Sequence, residues 1–171
     1  PAEVPDRDGP AWYEVEMGRW TLAGGTQAAA TGGDVEVAVP GLDVPRPGLS
    51  VDVGNPHTVV ALPDERALAD AYLTRAPVVT PAPPAGTNVE LVVPLHEGSD
   101  GAGHLRMRVH ERGVGETESC GTGACAAAVA VRSWAGAGAP DVWWVDVPGG
   151  TVRVSVVGDR VRHAGPADLP Y

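Results

Sequence analysis

The sequence predicts an α+β fold: a curved, mostly antiparallel sheet or open barrel wrapped around one central buried helix. From Ala124 to Val131 every residue is apolar (ACAAAVAV), so no face of a helix there can be turned to water. That run is far shorter than the roughly 20 residues needed to span a bilayer, which makes it a core helix. Around it stand short alternating segments joined by Gly/Pro turns. Only a sheet that curls can cover a helix on its whole circumference.

The alternation places strands at 12–17 (WYEVEM), 35–39 (VEVAV), 49–53 (LSVDV), 58–62 (TVVAL), 89–95 (VELVVPL) and 104–111 (HLRMRVHE). Residues 24–34 read as a Gly/Ala/Thr loop, and Pro45-Arg46-Pro47-Gly48 as a turn. Pro63-Asp64-Glu65 opens a helix expected to reach Thr74, with early acids favouring its dipole. The stretch 76–86 (APVVTPAPPAG) has too much Pro for extended regular structure. The central helix is expected from Thr122 to Trp134, followed by a hairpin of 142–147 and 151–157 about Pro148-Gly149-Gly150, and a last strand at 160–163.

Bulk properties narrow the class. The chain has 171 residues, 43% apolar and 20% charged, with a formal charge of −10, which suits one good-sized soluble domain. An acidic chain without a basic stripe argues against nucleic acid or an anionic membrane as partner. All 12 basic residues are Arg, and Lys, Ile and Phe are absent; these three have AT-rich codons, so a GC-rich bacterial gene is expected. Without lysine the chain cannot anchor pyridoxal phosphate as an imine. Its two cysteines, Cys120 and Cys125, are poorly placed to bridge each other. Free thiols and no signal peptide lead to an expected cytoplasmic location. The opening segment 1–10 (PAEVPDRDGP) lacks an initiator Met and reads as a linker, as in a piece of a longer polypeptide.

The chemistry is expected at Cys120-Gly121-Thr122-Gly123, the mouth of the central helix. The first amides of a helix have no intrahelical partner, and the positive end of the dipole favours anions and acidifies a thiol. Cys120 is therefore expected to be an acidic thiol beside a socket for a small carboxylate. Three further loops carry polar residues with no evident core duty: Gly54-Asn55-Pro56-His57, Gly86-Thr87-Asn88 and Glu111-Arg112-Gly113. Each also reads as a turn, a cap or a solvated ion pair; the functional alternative is an amide for hydrogen bonding, a histidine for proton transfer, and an Arg for bidentate carboxylate binding. Cys125 reads as core filling, and His96, His104, His110 and His163 show no metal spacing with the cysteines, so no metal is expected.

These motifs (GNPH at 54–57, GTNVEL at 86–91 and above all ERGVGETESCGTGACAAA at 111–128) resemble the second half of diaminopimelate epimerases. The PGG at 148–150 and GPA at 165–167 are similar too. The resemblance implies an epimerase independent of cofactor and metal that works with two cysteines on opposite faces of the substrate, in one half of a pseudo-symmetric fold. It implies that Cys120 is one acid/base cysteine and that His57 and Glu111 assist proton handling. Asn55, Asn88, Glu111 and Arg112 would hold the distal amino-acid end of diaminopimelate, while Gly121 and Thr122 would bind the carboxylate of the reacting centre. It further implies a domain over 11–160, a tail over 161–171 packing on an absent amino-terminal half, and inactivity of this half alone. That half and the small-molecule substrate are the expected partners; a homodimer is left open. A racemase acting on another amino acid and a non-catalytic carboxylate-binding domain are the alternatives.

Overall fold

In a computed structural model, residues 2–4 and 11–166 are described. The chain begins with β1 (Ala2–Val4), β2 (Trp12–Arg19), β3 (Thr21–Leu22), helix α1 (Gly25–Ala30), β4 (Val35–Ala38) and β5 (Arg46–Asp52). It continues with β6 (Pro56–Ala61), helix α2 (Glu65–Asp70), β7 (Val78–Thr80), β8 (Asn88–Pro94), β9 (Gly103–Glu111) and β10 (Gly115–Thr117). Helix α3 (Gly121–Ala135) is followed by β11 (Val142–Val147), β12 (Gly150–Val157) and β13 (Arg160–Pro166). The strands form one open sheet in the order β1-β2-β13-β12-β11-β9-β8-β6-β5-β4-β7, with β10 beside β9 and β3 beside β5. Among the described residues only β6–β8 and β9–β11 pair in parallel, so the expected α+β class with a curved, mostly antiparallel sheet around a central helix is what forms.

Helix α3 is buried from Gly123 to Val131. Strands can approach that closely because its buried side chains, apart from Val129 and Val131, are Ala, Gly or Cys, and it is surrounded by Leu49, Val59, Val92, Leu105, Met107, Val145, Val154 and Val161. A second core lies across the sheet, where Val60, Val89, Leu91 and Val93 meet Leu68 and Leu73 near α2. Alternation sorts the strands between these cores. In β8, Val89, Leu91 and Val93 face α2, which leaves Glu90 and Val92 on the α3 side. In β6 the same period puts His57 and Val59 toward α3.

Several elements depart from expectation. Residues 24–34 contain α1, whose Ala28 and Ala29 are buried in the α3 core; flanking glycines hid a short helix of Thr, Gln and Ala. Within the segment 45–48, Arg46 to Gly48 form no turn but the start of β5, and Pro47 is accommodated because that end of β5 pairs with β4 while the β3 and β6 pairings lie farther along. Helix α2 stops at Asp70 rather than Thr74, and its amino end is held by Asp64, whose carboxylate accepts from the Ala67 amide at 2.8 Å. Val78–Thr80 form a strand within the Pro-rich stretch. Residues 2–4 of the expected linker pair with β2, while 5–10 lie outside the described residues. Residues 161–166 of the expected tail belong to β13, an inner strand between β2 and β12, and 167–171 lie outside the described residues.

Because α3 is enclosed at close range, enlarging it should be costly. Ala127→Leu, at a position 0% exposed, is expected to destabilise the chain by about 1–3 kcal/mol. The same change at exposed Ala135 should cost less than about 0.5 kcal/mol. Equal urea midpoints for the two variants would contradict the packing described.

Candidate active site

Strand register brings the polar loops together. The parallel pair β6–β8 sets His57 opposite Asn88, and the antiparallel pair β8–β9 sets Val89 opposite His110, next to Glu111. The starts of two strands and the end of a third therefore meet at one rim of the sheet. Helix α3 begins at that rim, with Cys120 as its N-cap residue in extended conformation.

Cys120 is half-buried, whereas Cys125, one turn into the helix, is fully buried. The Gly123 amide donates to the Cys120 sulfur at 3.3 Å, and the Thr122 hydroxyl lies 3.5 Å from it. The Ala124 amide donates to the Cys120 carbonyl at 2.8 Å. Gly121 and Thr122 occupy the first helical positions, where amides have no intrahelical acceptor and face the approach to the thiol. A Cβ at Gly123 would lie 2.9 Å from Glu90 Oε1 and 3.2 Å from the Cys120 sulfur, so glycine there is a packing requirement.

A continuous set of contacts runs from the sulfur into the core. Asn55 Nδ2 donates to Thr122 Oγ1 at 3.3 Å, Asn55 Oδ1 and His57 Nε2 are 3.0 Å apart, and His57 Nδ1 and Glu90 Oε1 are 2.7 Å apart. His57 and Glu90 are both essentially inaccessible to solvent. Burial pushes the Glu90 carboxyl above the usual carboxylate range, against the pull of the His57 hydrogen bond. Its second oxygen, Oε2, is buried without a partner.

The remaining expected residues lie at the same rim with different duties. Asn88 is absorbed by the protein itself: its Oδ1 accepts from the Arg112 amide at 2.8 Å, and its Nδ2 donates to the Pro56 carbonyl at 3.3 Å. Glu111 accepts from the Thr117 hydroxyl, and the exposed Arg112 guanidinium donates to the Ala85 carbonyl. Glu111 and Arg112 thus do not neutralise each other, and each keeps capacity for a ligand. Among the described residues no group of three His, Cys, Asp or Glu could hold a metal ion.

The expectation of an acidic Cys120 is corrected. Burial pushes the thiol above its ordinary value, and the Glu111 carboxylate pushes the same way; the Thr122 hydroxyl and Gly123 amide oppose them without prevailing. Desolvation of a partly enclosed sulfur outweighs the two hydrogen bonds that the helix start directs at it. At neutral pH Cys120 carries its proton and is suited to donate one. Cys125, pushed up to about 12 by burial, is inert.

Two residues at the site were passed over in the sequence. Glu90 left a signal, a carboxylate in the middle of an otherwise apolar strand (NVELVVP). His163 left none, since its neighbourhood depends on β13 joining the sheet. Its half-buried ring, held neutral by burial, would lie 3.8 Å from a Cβ at Gly121.

The two helix glycines should therefore respond oppositely. Gly123→Ala collides with Glu90 and Cys120 and is expected to destabilise by about 1–3 kcal/mol. Gly121→Ala has nothing closer than 3.8 Å and should be neutral or stabilising by up to about 1 kcal/mol. Thermal denaturation of both variants decides, and a tolerated Gly123→Ala would contradict the contact with Glu90.

Comparison with known proteins agrees with this geometry. The diaminopimelate epimerase family profile matches residues 49–169, which hold β6, β8, β9 and α3. A diaminopimelate epimerase of Streptomyces coelicolor is 42% identical over 170 residues, covering 96% of this chain and 56% of that protein. One of Acidothermus cellulolyticus is 49% identical over 123 residues, covering 70% of this chain and 38% of that protein. The chain thus spans about half the length of the curated relatives it matches. Among solved structures, a predicted epimerase from Pseudomonas aeruginosa aligns with a TM-score of 0.57 at 16% identity over 99% of this chain and 62% of that one. A phenazine biosynthesis protein from Bacillus anthracis aligns at 0.56 with 14% identity, covering 96% and 60%; at such identities these two speak for the fold alone. A thiol at the mouth of an enclosed helix, on a sheet matched to the family from β5 onward, leaves one assignment: the chain belongs to the diaminopimelate epimerase family.

Proposed function

We propose that this chain is the cysteine-bearing second half of a cofactor-independent epimerase that interconverts LL- and meso-2,6-diaminopimelate, in lysine and peptidoglycan biosynthesis in the cytoplasm. The observation that carries the reading is the half-buried, free Cys120 thiol capping α3 beside the amides of Gly121 and Thr122. Inverting a carbon centre requires a base on one face and an acid on the other, and Cys120 is suited to the acid. Cys125 cannot be its counterpart, because it is fully buried within α3. The second thiol belongs to a preceding half of the same polypeptide.

Removing an α-hydrogen sends charge onto the adjacent carboxylate. The Gly121 and Thr122 amides, at the positive end of α3, would receive that charge where it develops. Glu111 would accept from the distal ammonium and Arg112 would pair with the distal carboxylate, restricting the substrate to one pose. Asn88 holds the backbone of Arg112 and so sets where that clip sits. His57 and Asn55 act through Thr122 on the sulfur.

The test is incorporation of deuterium at the α-carbon of diaminopimelate in D₂O. A polypeptide joining this chain to a half with the partner cysteine should exchange and epimerise, and Cys120→Ala in it should lower the rate at least about 10²-fold. The 171 residues alone should do neither. Epimerisation by this chain alone, or full activity of the Cys120→Ala protein, would overturn the reading.

A further inference from the structure

We propose that Glu90 is a positioning residue: buried behind His57, it orients a one-way series of hydrogen-bond donors that ends on the Cys120 sulfur. The inference rests on the reading of Cys120 as the reacting acid and deepens it. The direction follows from the atoms. Asn55 Nδ2 donates to Thr122 Oγ1, so Asn55 presents its carbonyl oxygen to His57 Nε2, 3.0 Å away. A carbonyl oxygen only accepts, so Nε2 must carry a proton. His57 Nδ1 then shares one further proton with Glu90 Oε1 across 2.7 Å.

Whether that proton sits on oxygen or nitrogen, the buried pair is neutral overall and Nε2–H is retained. Two details place it on Glu90. An apolar surround disfavours a bare carboxylate, and Oε2 has no partner, which a carboxylic carbonyl oxygen tolerates better than an anionic one. A protonated Glu90 donates to Nδ1, His57 Nε2–H donates to Asn55, Asn55 Nδ2–H donates to Thr122, and the Thr122 hydroxyl is left to donate to sulfur. Every link points the same way, and such chains polarise one another.

The chemical use lies in what Cys120 becomes. When its S–H bond breaks and the proton forms a C–H bond with the substrate carbanion, the electron pair stays on sulfur. The new thiolate meets two donors already aimed at it, Thr122 O–H at 3.5 Å and Gly123 N–H at 3.3 Å. No proton has to travel along the series; it has only to point correctly. The titratable groups facing this sulfur are Glu90 of β8, Glu111 of β9, His57 of β6, Cys125 of α3 and His163 of β13, and of these Glu90 and His57 are joined to it through the series. A one-way series also explains a carboxyl beneath the helix mouth, where a negative charge would oppose the thiolate and a neutral acid does not.

The test reads the tautomer and the thiol in this chain without substrate, so its failure is separable from failure of the exchange assay. In ¹⁵N-labelled protein, His57 should carry its proton on Nε2, with Nδ1 as a strong acceptor. Glu90→Gln, whose amide N–H can still donate to Nδ1, should keep that tautomer, whereas Glu90→Leu should mix the two. Should Glu90→Leu fail to fold, Thr122 provides the second arm. Thr122→Val removes the last donor and is expected to slow alkylation of Cys120 by iodoacetamide at pH 8 by roughly 3- to 10-fold, the scale of one ordinary lost hydrogen bond. Thr122→Ser should restore the rate. A wild-type His57 protonated only on Nδ1, a Glu90→Leu protein with an unaltered tautomer, or a Thr122→Val protein alkylating at the wild-type rate would each overturn the proposal.

Discussion

Total enclosure of α3 is the constraint from which the rest of the structure follows. An Ala-rich helix with no polar face cannot sit on a flat sheet; it forces the strands to curve until they meet it on every side. Small side chains then become obligatory, because the strands come close. Enclosure also decides where chemistry can occur, since only the ends of the helix reach solvent. At its amino end the first residue outside the helix is a cysteine, and the strands that wrap it contribute His57, Glu90, Glu111 and His163 around that point.

Electrostatics at that rim are a contest between desolvation and directed hydrogen bonds. A helix terminus alone would acidify the thiol, yet partial burial, helped by the Glu111 carboxylate, holds the proton on sulfur. The donors from Gly123 and Thr122 are present but do not prevail in the resting state. Such a thiol resists losing its proton to water, yet its thiolate is received by donors once a strong base, such as a substrate carbanion, takes the proton. The fold thus sets the affinity of this sulfur for its proton by depth as much as by charge.

Much of this was legible in the sequence because α3 and the Gly/Cys loop obey strong local rules. An unbroken apolar run, glycines at a helix mouth and alternating strands leave few architectures, whereas the gathering of Asn55, His57, Asn88, Glu111 and Arg112 is implied by the family resemblance, each loop by itself reading equally as a turn, a cap or an ion pair. What escaped depends on pairing between distant segments. Helix α1 was hidden because Thr, Gln and Ala between glycines give no period, and its burial against α3 is what holds it. A last strand at 160–163 is legible, but nothing local says that it runs on to Pro166 and inserts between β2 and β12. The sign of the Cys120 shift was missed for the same reason: the sequence displays the helix terminus but not how deeply the sulfur lies. Glu90 was visible and unread; a lone carboxylate in an apolar strand on the core side of a sheet asks what it is bonded to.

The central claim is that Cys120 rests as a protonated thiol at the mouth of the helix. The infrared S–H stretch, taken as the difference between this chain and its Cys120→Ala variant at pH 8, measures that state directly. A persistent S–H band assigned to Cys120 is the predicted result. Its absence at pH 8, with thiolate absorbance in the ultraviolet in its place, would contradict the account.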